Sequence, residues 1–369
     1  MPYMENARYP VVFLRTESPR YRVKTGIHYA LAGAALFGAS IPIAKLLVGA
    51  IEPVMLAGLL YAGSGLGLGL WLVLRGPAAP GAERPRFAPG DTQWLAGAVL
   101  SGGVIGPALL MIGLVATPAS AASLLLNLEA VFTVLLAWFV FRENFDRRVM
   151  FGMVLIVCGG VILGWRPSDL VVYWPALAVA GACFFWALDN NLTRKISSGD
   201  AVKIAGIKGL TAGAVNISVA MAFGAALPAP ELACAAALVG LLGYGISLAL
   251  FVVALRHLGT ARTGAYFSTA PFLGAALSFA LLSEAPDAWF WTASVLMAAG
   301  VTLHLTEHHK HLHKHEALAH VHSHLHDEHH RHRHDFDWNG AEPHSHAHQH
   351  EPRSHSHPHY PDIHHRHDH

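Results

Sequence analysis

Between residues 26 and 306 the chain is a series of apolar runs, each near the ~20 residues that a helix needs to cross a bilayer. These runs constrain the fold more than any other feature. A backbone in lipid must satisfy its own hydrogen bonds, and a helix does so within a single segment. A soluble domain of this size would instead alternate apolar and polar faces at helical period. Here most segments are apolar all round, and only 13% of residues are charged, against about 25% in an ordinary globular domain. The expected fold class is therefore an all-α integral membrane protein.

Spans are expected at Gly26–Leu47, Pro53–Leu74, Trp94–Gly113, Ser120–Phe141, Val149–Trp165, Trp174–Leu192, Ala205–Phe223, Leu232–Leu255, Ala265–Leu282 and Trp289–Leu305. Pro/Gly turns and clusters of charge separate them. Lys and Arg concentrate in alternate connections: Arg75, Arg84 and Arg86, then Arg142, Arg147 and Arg148, then Arg194, Lys195 and Lys203, then Arg256 and Arg262. Only Arg166 breaks the alternation. Basic loops stay on the cytoplasmic side, so ten spans with both termini in the cytoplasm are expected, in what is expected to be a bacterial inner membrane. Trp165, Tyr173, Trp174, Trp289 and Trp291 gather at the expected outer ends, where amphipathic rings sit at the headgroups. The first 25 residues carry five basic side chains around a short apolar patch and read as a cytoplasmic segment without a cleavable leader. Cys158, Cys183 and Cys234 lie in apolar runs with neither disulfide nor zinc spacing, and read as small packing residues.

The two halves of the body resemble each other. LAWFVFRE, ending at Glu143, and LSFALLSE, ending at Glu284, align when one half is slid by 141 residues, and GAALFGAS in span one is matched by GACFFWAL in span six. Units of five helices, an odd number, place the second upside down relative to the first, the arrangement that builds secondary transporters with a midplane site. The expected domains are thus 1–25, a first five-helix repeat over 26–165, a second over 166–306, and a tail over 307–369.

At Leu124–Glu143, LLLNLEAVFTVLLAWFVFRE, the chain resembles the EamA type of the drug/metabolite transporter superfamily, whose leucine-rich stretch ends in an acidic residue after span four. The family commonly has a proline after its buried acidic residue; here Ala130 follows Glu129, whereas the second half keeps Pro271. The resemblance covers about residues 26–306 and omits the tail. It implies two inverted five-helix repeats and transport of a small solute, not an enzyme, and leaves the solute open.

A charge at the bilayer centre costs from ~2.5 kcal/mol upward, so such groups face a cavity or a partner. Glu129 lies about 13 Å into span four at 1.5 Å per residue, close to the midplane. It either binds a cationic group or carries a coupling proton, or else pins helix packing as a hydrogen-bonded carboxyl. Lys45, near the outer end of span one, either joins the pathway or snorkels to the interface. The Asp189-Asn190-Asn191 run either lines the cytoplasmic mouth or bonds a neighbouring helix and offsets Arg194 and Lys195. Lys208 is expected to snorkel. Asn127, Tyr266 and Thr269 join the candidate pathway, with Asn216, Tyr244 and Ser268 as further polar groups at mid-depth; each is equally compatible with ordinary interhelical hydrogen bonds. Gly63, Gly65, Gly67 and Gly69 have small-xxx-small spacing and read as close helix packing. There is no phosphate-cradling G-x-x-x-x-G-K-[ST] loop, so energy is expected from an ion gradient or a partner.

Of the 27 histidines, His28 and His257 stand apart and the rest crowd between His304 and His369 as H-x-H and HH. Neutral imidazole suits zinc, nickel, copper and cobalt, and a segment this polar cannot bury a core. The tail is therefore expected to be disordered without metal and to bind a divalent transition ion through His322, His324, His326, His329, His330, His332, His334, His344, His346 and His348. No cofactor is required for transport. The expected partners are a small solute, the bilayer and that metal; nucleic acid is not among them, and a homodimer is an open assembly. Two other functions fit the same residues: a transition-metal permease or exporter whose tail collects the ion, and a membrane-anchored metal store or sensor.

Overall fold

The computed structural model describes residues 19–75, 91–141, 147–166, 171–196, 200–258, 260–305 and, in the tail, 310–315, 318–324, 344–350 and 353–358. Two compact units result, Met1–Thr306 and Glu307–His369. In the first, helices α1 (Pro19–Val48) and α2 (Pro53–Leu74) are followed by α3 (Asp91–Ala98), a π-helical turn (Val99–Ile105) and α4 (Gly106–Ala116) in one continuous run. Next come α5 (Ala119–Leu125), α6 (Leu128–Phe141) and α7 (Arg147–Gly164), then α8 (Trp174–Lys195) and α9 (Ala201–Ala222). The second half closes with α10 (Pro230–Gly240), a second π-helical turn (Leu241–Ile246), α11 (Ser247–Leu258), α12 (Thr260–Phe267), α13 (Ala270–Leu282) and α14 (Ala288–Leu305). A two-residue pairing, Trp165–Arg166 with Val171–Val172, links α7 to α8.

Among the described residues, eight helical stretches are long and apolar enough to cross a membrane. The other two segments expected as spans are helical as well: Trp174–Lys195, made polar by Asp189, Asn190 and Asn191, and the shorter apolar helix Ala288–Leu303. Large apolar side chains point outward from many of them, among them Leu66, Leu70, Phe139, Phe151, Val161 and Leu177. Such a surface suits lipid and not water.

Element boundaries recur along the chain. Arg147–Gly164 and Ala288–Leu305 are displaced by 141 residues at both ends, as are the starts of α5 and α12. The π-helical turns recur at that displacement within a residue, and so do the breaks at Leu126–Asn127 and Ser268–Thr269. Packing recurs too: α2 lies on α9, α7 on α14, and α1 crosses α11 and α13 as α8 crosses α4 and α6. The α2–α9 contact depends on bare backbone. A Cβ on Gly65 would sit 2.3 Å from the Leu210 nitrogen, and one on Gly209 would sit 2.7 Å from the Gly65 Cα. Gly63 likewise meets the backbone of Ala237, whereas Gly69 faces open space. The packing role expected of this glycine set thus holds for Gly63 and Gly65 but not Gly69. One buried core joins the halves, with Ile41, Met55, Leu60, Leu110, Met111, Leu125 and Ile156 at its centre.

In the tail, the described stretches form paired strands where disorder was expected. Lys310–His315 pairs antiparallel with Arg353–Pro358, and Leu318–His324 with His344–His350. The strict two-residue alternation that suggested chelation is also the period of a β-strand, and antiparallel pairing satisfies backbone groups that no core protects.

Candidate functional site

Three local devices shape the middle of the bundle. In the first, Pro107 has no N–H to offer the carbonyl four residues before it, that of Gly103, and the helix widens into the π-helical turn. The freed acceptors are taken by other helices. Asn216 Nδ2 donates to the Gly103 carbonyl at 3.1 Å, while the Tyr61 hydroxyl (2.7 Å) and Trp186 Nε1 (2.9 Å) both donate to that of Gly102. In the second, Asn127 Nδ2 donates to the Leu124 carbonyl at 2.8 Å and competes with the helix ladder. Shorter i to i+3 bonds follow, Asn127 N to Leu124 O and Glu129 N to Leu126 O, and the helix restarts at Leu128. Glu129 therefore stands in the first turn of a new helix at mid-depth, where the macrodipole favours a carboxylate. In the third, the corresponding break of the second half, Thr269 Oγ1 donates to the Tyr266 carbonyl at 2.6 Å and Pro271 opens α13.

Around Glu129 the structure gathers a polar network. Asn190 Nδ2 donates to Glu129 Oε1 at 2.8 Å and lies 3.5 Å from Thr133 Oγ1. Beside it, Lys208 Nζ donates to both oxygens of Asp189, at 2.6 and 2.5 Å, and Thr193 Oγ1 donates to Asp189 Oδ1 at 2.8 Å. The Lys208 and Asp189 side chains are only 16% and 11% exposed, so the pair is largely desolvated. Asn191 Nδ2 donates to the Ala187 carbonyl at 2.9 Å and to that of Thr133 at 3.3 Å. Gly102 leaves the room Asp189 occupies, because a Cβ there would lie 2.0 Å from Asp189 Oδ2.

Of the sequence candidates, Glu129, Asp189 and Asn190 come together here, with Asn191 on the same helix turn and Asn127 forming the break that orients Glu129. Tyr266 and Thr269 sit at the equivalent break in the other half. Lys45 lies elsewhere: its ammonium donates to the carbonyls of Leu114 (2.6 Å), Val115 (3.0 Å) and Thr117 (3.0 Å), the end of α4. Lys208 does not snorkel as expected, because a buried carboxylate within reach holds it better than the interface would. Lys208, Tyr61, Trp186 and Gly102 were missed as site residues. A lysine facing an aspartate on an adjacent apolar helix was the available signal for the first; nothing in the sequence marks the other three.

The metal ligands expected in the tail divide. His322, His324, His344, His346 and His348 fall in paired strands, whereas His326, His329, His330, His332 and His334 lie outside the described residues. Among the described side chains no three His, Cys, Asp or Glu converge on a metal-sized site.

A helical bundle sheathed in apolar side chains, with Asp189 and Lys208 paired in its interior, is a polytopic membrane protein. The chain belongs to the EamA-like transporter family, whose model matches twice, over residues 24–165 and 173–306. It is 29% identical over 286 residues to a protein of Methanothermobacter thermautotrophicus (strain Delta H) described as an uncharacterized transporter, a match that covers 73% of this chain and 83% of that one. A crystal structure of another protein superposes with a TM-score of 0.55 at 20% identity, over 76% of this chain and 94% of that one. At that identity the likeness speaks for the fold alone.

Proposed function

We propose that the protein is a secondary transporter of a small metabolite or drug-like solute, built as ten spans in two inverted five-helix repeats, with Glu129 at the solute or coupling-ion site. The observation that carries this is the balance of charge around Glu129. Asp189 and Lys208 neutralise one another, while among the described residues the side chain hydrogen-bonded to the Glu129 carboxylate is the neutral amide of Asn190. One unpaired acidic function at mid-depth suits a cationic group or a proton and disfavours an anion. Asn190, which is exposed, and the half-buried Glu129 leave the site reachable. The element boundaries displaced by 141 residues and the double family match support the repeat reading.

Both termini lie in the cytoplasm of a bacterial inner membrane in this reading, and the tail is an accessory that binds a divalent zinc, nickel, cobalt or copper ion. Supporting the tail's role is its register, which sets His320, His322 and His324 opposite His348, His346 and His344. Proteoliposomes containing the full chain, screened for counterflow of radiolabelled amino acids, nucleosides and quaternary ammonium ions, test the transport reading. Uptake of at least one probe that Glu129→Gln abolishes is expected; no uptake of any probe, or uptake indifferent to Glu129→Gln, refutes it.

A further inference from the structure

At the end of the bundle opposite the Asp189–Lys208 pair, the connection between α4 and α5 is held by side chains from three other elements. Lys45 of α1 donates to the last carbonyls of α4. The Tyr173 hydroxyl donates to the Ala116 carbonyl at 2.8 Å. Glu284, just past the end of α13, accepts from Ala119 N (2.7 Å), Ser120 N (3.0 Å) and Ser120 Oγ (2.5 Å). Glu284 and Lys45 are near enough for their charges to attract. A carboxylate on helix-starting amides and an ammonium on helix-ending carbonyls are the charge-assisted bonds each terminus favours. The Glu284 and Tyr173 bonds tie the second half of the chain to the first, while Lys45 holds α1 to α4.

Directly inside this clamp two hydroxyls, Thr117 Oγ1 and Ser123 Oγ, are buried without a hydrogen-bond partner. Buried polar groups are normally satisfied, and among the described residues these two hydroxyls have no hydrogen-bond partner. Ser123 borders a small cleft with Phe37, Gly38, Leu126, Ala270 and Pro271, where α1 meets the breaks of both halves. Leu126 is one turn from Glu129. Along the line from Glu284 past Ser123 to Glu129, Ser120 and Ser123 at the clamp end are buried, whereas Asn190 beside Glu129 is exposed.

We propose that Glu284 and Lys45 form the outer gate of the solute pathway, with Glu284 as the latch between α13 and α5, and that Ser123 lines the passage behind it. This rests on the transporter reading above and on the α4–α5 connection facing outward. The test needs no solute. Ser123→Cys is introduced into the full chain with Cys158, Cys183 and Cys234 replaced by alanine, and a membrane-impermeant maleimide is applied to intact cells. Labelling is expected to be slow with the clamp intact. It should accelerate about tenfold or more with either Glu284→Gln or Lys45→Met, the gain in open population from losing one charge-assisted bond. Glu284→Asp, which keeps the charge on a shorter arm, should fall between.

Sealed inside-out vesicles provide the control for folding, because acceleration from one side only is the signature of a gate and equal acceleration from both sides that of a loosened bundle. Unchanged labelling in both variants, or acceleration from both sides, overturns the proposal. Failure of the Glu129→Gln uptake test would refute the transport reading without altering these labelling rates, so the two are separable.

Discussion

Replacing Gly102 by alanine should damage the bundle first at Asp189. The added Cβ would lie 2.0 Å from Asp189 Oδ2, 2.3 Å from its Cγ and 2.4 Å from its Cβ. Asp189 must therefore retreat by about 1 Å or more to reach ordinary contact, and its bonds to Lys208, now 2.5 and 2.6 Å, would exceed the ~3.2 Å limit of a good hydrogen bond. Removing one partner of a buried ion pair costs about 3–5 kcal/mol, and the alanine returns at most ~1 kcal/mol of helix propensity. The net expectation is a loss of about 2–4 kcal/mol, read as a shifted midpoint when the purified full chain is unfolded in mixed micelles of rising SDS content. The cause is isolated by a double-mutant cycle. Asp189→Gly removes the whole side chain, Cβ included, and already strands Lys208, so adding Gly102→Ala to it should cost almost nothing. A Gly102→Ala protein as stable as the parent, or one whose penalty is unchanged in the Asp189→Gly background, would refute the reasoning.

Asn216→Ala leaves the Gly103 carbonyl, already deprived of its helical donor by Pro107, without a partner, and should cost about 1–3 kcal/mol in the same unfolding assay. Asp200 caps α9 by accepting from the amides of Val202 and Lys203 and pairs with Arg75. Burial works to raise its pKa, but the Arg75 hydrogen bond, the two amides and the Arg75 charge together hold it below the usual 3.8. A depressed carboxyl stabilises above its unfolded value and loses that contribution as the pH falls through the folded one. Asp200→Ala should thus cost about 1 kcal/mol near neutrality, and the difference from the parent should close below about pH 4 in stability measured against pH. Ending the chain after Thr306, at the boundary between the two compact units, should leave the unfolding midpoint of the bundle unchanged. The same deletion should abolish zinc and nickel binding measured by calorimetry.

The spans were legible because lipid imposes a coarse rule, about 20 apolar residues per crossing, which survives errors of several residues at each end. Pro53–Leu74 is helical over the residues expected, and Ala288–Leu305 begins one residue early. Glu129 was legible for the same reason, since a carboxylate amid leucines is conspicuous wherever it points. The helix breaks at Leu126–Asn127 and Ser268–Thr269 and the widened turn at Val99–Ile105 were not legible. Each depends on which donor reaches a carbonyl from another helix, and Asn216 lies over a hundred residues from the Gly103 it satisfies. The paired strands in the described stretches of the tail were not legible, since alternating histidines suit a chelating strand and a paired strand alike.

Composition and periodicity by themselves determined that this chain is a membrane-embedded helical bundle with a histidine-rich appendage, that its halves resemble each other, and that few ionisable groups are buried. Burial in lipid and hydrophobic length are properties of a segment, and a segment is what a sequence displays. Only the tertiary structure decided which of those groups meet. It paired Lys208 with Asp189, left Glu129 to Asn190, and drew Lys45 and Glu284 to the ends of α4 and α5. Such pairings turn on a few ångströms between helices far apart in the chain, and the glycines, prolines and π-helical turns that set those distances act only once the helices are packed.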